Sequence, residues 1–212
     1  LEVDLHIHSR HSVDSRARPS DIVARALSVG LGAIAVTDHN SWAGAREAAE
    51  LSAGKLLVIP GAEIKTEKGD VLVLFVDDDI RSRQFAAVID DVRARGGVSI
   101  IPHPAESPGM TEAHLRLADG LEVFNSTCTA RSNARASELA EKLSKPGFAS
   151  SDAHIVAEIG NGRTRIEDCQ TLEELRRCIL KNPTVSRRVG SNPLLHRMNE
   201  VFNFATKGIW KS

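Results

Sequence analysis

Six short apolar runs, each closed by polar residues and separated from the next by a helical pattern, constrain this chain more than any other feature. The runs are VDLHI at 3–7, GAIAVT at 32–37, LLVIP at 56–60, GVSIIP at 97–102, GLEVF at 120–124 and GFAS at 147–150. Each is rich in Val, Ile and Leu or bounded by Gly, as expected of strands buried on both faces of a parallel sheet. In PSDIVARALSVG at 19–30, Ile22, Val23, Ala26, Leu27 and Val29 form a helical stripe that Gly30 closes. Trp42 to Leu51, Arg81 to Arg95 and Glu138 to Leu143 read the same way, and Thr171 with Glu174 forms a capping box. Alternating strands and helices predict an α/β domain of βα units, closed or nearly closed into a barrel. One departure is VLVLFV at 71–76, which lies too close behind 62–66 for a crossover helix and so predicts a hairpin.

A chain of 212 residues suits a single barrel. The expected division is a barrel over 1–190 followed by a C-terminal helix and tail over 191–212, with Leu194, Leu195, Met198, Val201 and Phe202 along one side covering the barrel wall or a weak dimer contact. Apolar residues make up 42% and charged residues 26%, which excludes a disordered or fibrous chain. A formal net charge of −1 argues against long nucleic acid or an acidic membrane as a partner. No run approaches the ~18 apolar residues of a membrane span. The first residues read as a strand rather than a charged segment before an apolar one, so the expectation is a soluble cytoplasmic protein, monomeric or weakly self-associating. Cys128, Cys169 and Cys178 lack C-x-x-C spacing and predict neither a disulfide frame nor a thiolate zinc site.

The ends of the apolar runs carry the chemistry. His6 and His8 alternate with Leu5 and Ile7; Asp38 and His39, Glu63, His103, Asn125, and then Asp152 and His154 follow later runs. In barrels and open α/β sheets the site lies at the carboxyl ends of the strands, so these residues converge. So many polar groups beside a core cost desolvation energy unless partners compensate. Imidazoles mixed with carboxylates, without thiolates, suit Zn²⁺, Mn²⁺ or Fe²⁺. The set exceeds what one ion uses, which implies two or three, with Glu63 as the acidic bridge and Asp4 orienting an imidazole from behind. Ser9, Ser12 and Ser151 lack the G-x-S-x-G setting of a nucleophile.

The ordered motifs D-L-H-I-H-S, S12-x-D14-S15, T37-D38-H39-N40, P60-G61-A62-E63, H103-P104 and S151-D152-A153-H154 resemble those of the PHP (polymerase and histidinol phosphatase) domain of metal-dependent phosphoesterases. SWAGAREAA and LEVFNS resemble its stand-alone phosphatases and small-nucleotide exonucleases. The resemblance, over residues 3–166, implies a distorted (β/α)7 barrel holding a trinuclear cluster. It assigns His6, His8, Glu63 and Asp152 to one ion, Asp14, His39 and His154 to another, and Glu63 and His103 to a middle ion. Asp70 stands where relatives often carry a histidine, and either ligates through oxygen or caps the hairpin. Glu63, His103 and His154 are the candidate catalytic residues, with a water activated near Glu63 attacking phosphorus in line and a protonated histidine or a water serving the leaving oxygen. Arg10, His11, Lys65, Asn125 and Arg131 are candidates for substrate contact. The expected substrate is a phosphomonoester, a small nucleotide or a short oligonucleotide. Single-stranded exonuclease, binuclear amidohydrolase and non-catalytic binding barrel are the competing readings. His114 and His196 are expected to be ordinary helix-surface histidines.

Overall fold

The computed structural model describes residues 1–192. Its first half follows the apolar runs: β1 (Glu2–Ile7), α1 (Pro19–Ser28), β2 (Ala33–Val36), α2 (Ala43–Ser52) and β3 (Leu57–Ile59). Then come the hairpin β4 (Gly61–Lys65) and β5 (Asp70–Leu74), α3 (Phe85–Ala94), β6 (Val98–Ile101), α4 (Glu112–Leu117), β7 (Gly120–Asn125), α5 (Ala130–Leu143) and β8 (Gly147–Ser150). β9 (Gly162–Arg165), α6 (Leu172–Cys178) and β10 (Thr184–Arg188) complete the described chain. The expected C-terminal helix from Asn192 onward lies, beyond that residue, outside the described residues. No described helix is long and apolar enough to cross a membrane.

The strands form two five-stranded mixed sheets, ordered β10-β9-β1-β2-β3 and β4-β5-β6-β7-β8, rather than one closed seven-stranded barrel. Two local causes are visible. Pro60, which lacks an N–H, falls between β3 and β4 and splits the run 56–65 into strands of different sheets. The hairpin then sets β5 antiparallel to both β4 and β6. Apolar residues of both sheets meet in a shared interior: Val3, Leu5, Ala33, Ala35 and Ile59 against Leu72, Leu74, Ile100 and Phe148. Outside this layer α1 and α2 cover the first sheet through Ile22, Ala26, Ala45 and Ala48, and α3, α4 and α5 cover the second through Val88, Val92, Leu115 and Leu139. Both faces of each central strand are therefore buried, which explains the lack of a polar face in most runs.

The sheets are pinned together at their carboxyl ends. Isolated bridges join Ile7 to Ala153 and His39 to Glu63. The His8 N–H donates to the Ala153 carbonyl at 2.9 Å, and the Asn40 N–H donates to the Glu63 carbonyl at 2.8 Å. Farther from that end, Thr164 replaces a backbone ladder with its side chain: Oγ1 accepts from the Ala149 N–H at 2.7 Å and donates to the Ala149 carbonyl at 3.0 Å. A Cβ on Gly162 would lie 2.0 Å from the Ser150 carbonyl oxygen, so β9 approaches β8 this closely only without a side chain there.

Candidate metal centre

The residues beyond the pinned strand ends converge. β1 presents His6 and, just past its end, His8, while the turn after β2 presents His39 and the middle of β4 presents Glu63. Nε2 of His6 and Nε2 of His8 lie 3.0 Å apart. Each is 3.4 Å from Glu63 Oε2, and they lie 3.3 and 3.2 Å from Asp152 Oδ1. On one side His39 Nδ1 approaches Glu63 Oε2 at 3.0 Å while its Nε2 meets Asp14 Oδ2 at 3.0 Å; His154 Nε2 is 3.3 Å from the same Asp14 oxygen. On the other side His103 Nε2 lies 3.4 Å from Glu63 Oε1. Three overlapping donor groups result: His6, His8 and Glu63; His8, Asp14, His39 and His154; and Glu63, Asp70 and His103. Asp70 thus stands among potential ligands as well as at the start of the hairpin strand.

These donors fit divalent cations for a structural reason. Glu63 is buried, and among the described residues its carboxylate oxygens face four imidazole nitrogens at 3.0–3.4 Å and no backbone N–H. His6 Nδ1 faces Glu122 and His8 Nδ1 faces Ser12 Oγ at 3.1 Å, which directs the Nε2 lone pairs of both rings at one point. Lone pairs converging with carboxylate oxygens repel unless a cation or protons lie between them. In the metal-free chain, protons take that place. Burial opposes charge on His39 and His103, yet Asp14 and Glu63 push His39 up to about 10 and Glu63 pushes His103 up to about 9. Burial likewise opposes ionisation of Glu63 and Asp152, but the surrounding imidazoles, His6 foremost, hold both well below the usual carboxylate range. Asp70 moves the other way, raised by burial and by Glu63.

Neighbouring groups fix the ligands. His154 Nδ1 donates to the Asp152 carbonyl at 2.9 Å, leaving Nε2 for Asp14's side. Ser12 Oγ also accepts from the His39 N–H at 2.9 Å. His103 and Asp152 occupy left-handed backbone at φ 32° and 50°, a sparse region for residues with a Cβ and one that recurs at functional sites. Asp38 is no ligand: it takes the Ser9 N–H and Oγ–H at 2.6 Å each and ties the loop after β1 to that after β2. A Cβ on Gly44 would sit 1.9 Å from Asp38 Oδ2, so α2 can pack here only as glycine.

Several expected roles shift. Among the described residues Asp4 hydrogen-bonds no imidazole; its two oxygens accept from the Ser151 and Gly160 N–H groups at 2.9 and 2.8 Å, fixing the turn that carries Asp152. The imidazole partner is Glu122, 3.2 Å from His6 Nδ1, which sequence reasoning missed. The available signal was a carboxylate inside the apolar run GLEVF. Asn125 is buried and its amide donates to Glu122 and Asp152, with Oδ1 accepting from the Thr127 N–H, so it faces the ligands rather than open space for substrate. Arg10 and His11 sit at the surface on the same Glu47 carboxylate, at 2.9 and 2.8 Å. Lys65 and Arg131 are exposed, Lys65 at the end of β4 and Arg131 in the first turn of α5. His114 closes a capping box on α4, accepting the Thr111 N–H at 3.1 Å, where sequence reasoning saw only a surface histidine.

Comparison with known proteins agrees with this geometry. Residues 4–117 match the model of the PHP domain, and residues 130–184 match a PHP-associated model. An uncharacterized protein of Methanocaldococcus jannaschii is 33% identical over 141 residues, 59% of this chain and 82% of that one. A 5′-3′ exoribonuclease, Rnm, of Salmonella typhimurium is 35% identical over 127 residues, 55% of this chain but 43% of the relative. Among solved structures, a two-domain protein of Bacteroides vulgatus containing a predicted PHP-like metal-dependent phosphoesterase superposes with a TM-score of 0.74 at 19% identity, over 89% of this chain and 65% of that one. A family model that spans residues 4–117, and with them His6, His8, Asp14, His39, Glu63 and His103, places this chain in the PHP domain family.

Proposed function

We propose that this chain is a metal-dependent hydrolase of phosphate esters, acting on a phosphomonoester or the phosphomonoester of a small nucleotide. The observation that carries the reading is Glu63: a buried carboxylate that faces four imidazole nitrogens at 3.0–3.4 Å, shared by two donor groups and 3.0 Å from His39 of the third. His6, His8, Glu63 and Asp152 would hold one ion, Asp14, His39 and His154 a second, and Glu63, Asp70 and His103 a third, with zinc, manganese or iron as the candidates. When bound, such ions acidify water near neutral pH and neutralise phosphoryl oxygens. The chain's own residues supply the rest. Glu63 keeps the donor groups in register, and the fixed Nδ1–H of His154 leaves Nε2 its working atom. On the segment that follows His8, Arg10 offers a guanidinium and His11 an imidazole N–H to a substrate phosphate, both held by Glu47 of α2. On this reading the two facing sheets are halves of one distorted barrel whose rim bears the site.

The resemblance to the Salmonella exoribonuclease supports a second reading, in which the scissile bond is a diester at an RNA end. One assay matrix separates them. Protein supplied with Mn²⁺, Zn²⁺ or Fe²⁺ is tested on an aryl monoester, a bis-aryl diester, a nucleoside 3′,5′-bisphosphate and short single-stranded RNA. Monoester turnover alone selects the first, stepwise shortening of RNA selects the second, and hydrolysis of none with any metal overturns both.

A further inference from the structure

Glu122 lies within the apolar run of β7, 1% exposed, where a carboxylate needs several donors to offset its burial. It finds three. Oε1 faces His6 Nδ1 at 3.2 Å, and Oε2 accepts from the His103 N–H at 2.9 Å and from Asn125 Nδ2 at 2.8 Å. That same Asn125 nitrogen donates to Asp152 Oδ2 at 3.1 Å, where Thr127 Oγ1 also donates at 3.1 Å. We propose that Glu122 is a positioning residue that sets three metal ligands at once, His6, His103 and Asp152, and so ties two of the ion positions together.

Each branch does something different. An acceptor at His6 Nδ1 keeps the proton on that nitrogen, so that Nε2 presents its lone pair toward His8, Glu63 and Asp152. The bond from the His103 N–H holds a residue whose backbone at φ 32° would otherwise relax, and with it the ring facing Glu63. The Asn125 branch binds Oδ2 of Asp152 and leaves Oδ1 for the two imidazoles. His6 belongs to the group with His8 and Glu63, whose two imidazoles Asp152 meets at 3.3 and 3.2 Å, whereas His103 belongs to the group with Asp70. Its position behind both groups, touching neither Asp14 nor His39, makes its effect selective.

This proposal rests on the metal-centre reading, and its test separates the two. Mn²⁺ uptake is followed by titration calorimetry, and Co²⁺ absorption reports coordination, for the unsubstituted chain, Glu122→Gln and Asn125→Ala. Glutamine keeps the shape but can accept on one oxygen only, so its amide confronts an N–H donor. Glu122→Gln is expected to bind ~10–100-fold more weakly at the positions that use His6, Asp152 and His103, with an altered Co²⁺ spectrum and retention of the ion at Asp14, His39 and His154. Asn125→Ala, which leaves Glu122 on His6 and His103, is expected to weaken only the position that uses Asp152, and carries the test if Glu122→Gln does not fold. Unchanged affinities and spectra in either variant, or uniform weakening at every position, overturn the proposal. If the unsubstituted chain takes up no metal, the functional reading falls and this inference with it; normal uptake unaffected by substitution removes the inference alone.

Discussion

At the residue scale, the electrostatics of the centre turn on what fills the space between imidazoles and carboxylates. His8 belongs to two donor groups, so removing it breaks both, and Asp152 faces both His6 and His8, so removing it takes the carboxylate from the position that those two imidazoles share. His8→Ala and Asp152→Ala are expected to lower phosphoester turnover by ~10²–10³-fold, the scale of losing a charge-stabilising group in a closed site, while circular dichroism remains that of the parent. Turnover within a few-fold of the parent for both would show that the reaction occurs elsewhere. A pH dependence follows from His39 and His103, raised from an ordinary 6.5 to about 10 and about 9 in the metal-free chain. Because the folded values are the higher ones, these histidines stabilise the metal-free fold fully below pH 6.5, and that contribution is lost as pH rises through 9 to 10. Metal uptake at pH 7 must then expel their protons. Calorimetry in buffers of differing ionisation enthalpy should show proton release, and chelator-treated protein should melt at a lower temperature at pH 10 than at pH 7. A melting temperature that is flat or rises over that range would contradict the assignment. The convergence of His8, His39, His103, Asp152 and His154 was legible because each follows an apolar run. Glu122 and Thr127 were not, since one hides within a run and the other earns its place only through Asp152.

At the element scale, the alternation of runs and stripes anticipated eight of the strands and the hairpin, but not β9 or β10. Their residues, GRTR and TVSRR, have almost no apolar content, and β9 exists because the outer edge of β1 offers a partner, Glu2 pairing with Arg165 and Val3 with Thr164. No local periodicity encodes an edge that another element supplies. Helix caps show the same limit. The Thr171–Glu174 box was readable, and Thr171 Oγ1 does accept from the Glu174 N–H at 3.2 Å, but its counterpart at Thr111 uses an imidazole in place of Glu or Gln. The β8–β9 contact gives a test at this scale. Thr164→Val preserves shape and strand propensity while stranding the Ala149 N–H and carbonyl in a buried seam. It should cost about 1–3 kcal/mol in urea unfolding with an unchanged slope. A loss under 0.5 kcal/mol would mean that the seam closes on backbone contacts alone.

For the molecule as a whole, the centre sits where two sheets that share no continuous ladder are held together. His6, His8, Asp14 and His39 come from the first sheet and its loops, Glu63, Asp70 and His103 from the second, and Asp152 and His154 from the segment that leads from β8 back toward β1. Cations bound there would therefore cross-link the sheets at the end where backbone pairing amounts to two isolated bridges. Convergence of the motifs was foreseeable from their place at strand ends, but this mechanical consequence was not, because the division into two sheets depends on Pro60 and on the reversal at β5. Ligand that binds only the folded state stabilises it by about 2.7 kcal/mol at a hundred times its dissociation constant, so Mn²⁺ or Zn²⁺ should raise the melting temperature and a chelator should reverse the gain. The distribution of that gain is the sharper prediction. Hydrogen exchange at the His8 and Asn40 amides, bonded to Ala153 and Glu63 across the seam, should accelerate on metal removal. The amides of the β5–β6 ladder, where Leu72 to Leu74 pair with Ile100 to Val98, should exchange at unchanged rates, since their opening requires the second sheet itself to come apart. Uniform acceleration across both sets would show that the ions stabilise the fold globally, and no acceleration at His8 and Asn40 would show that they do not fasten the sheets.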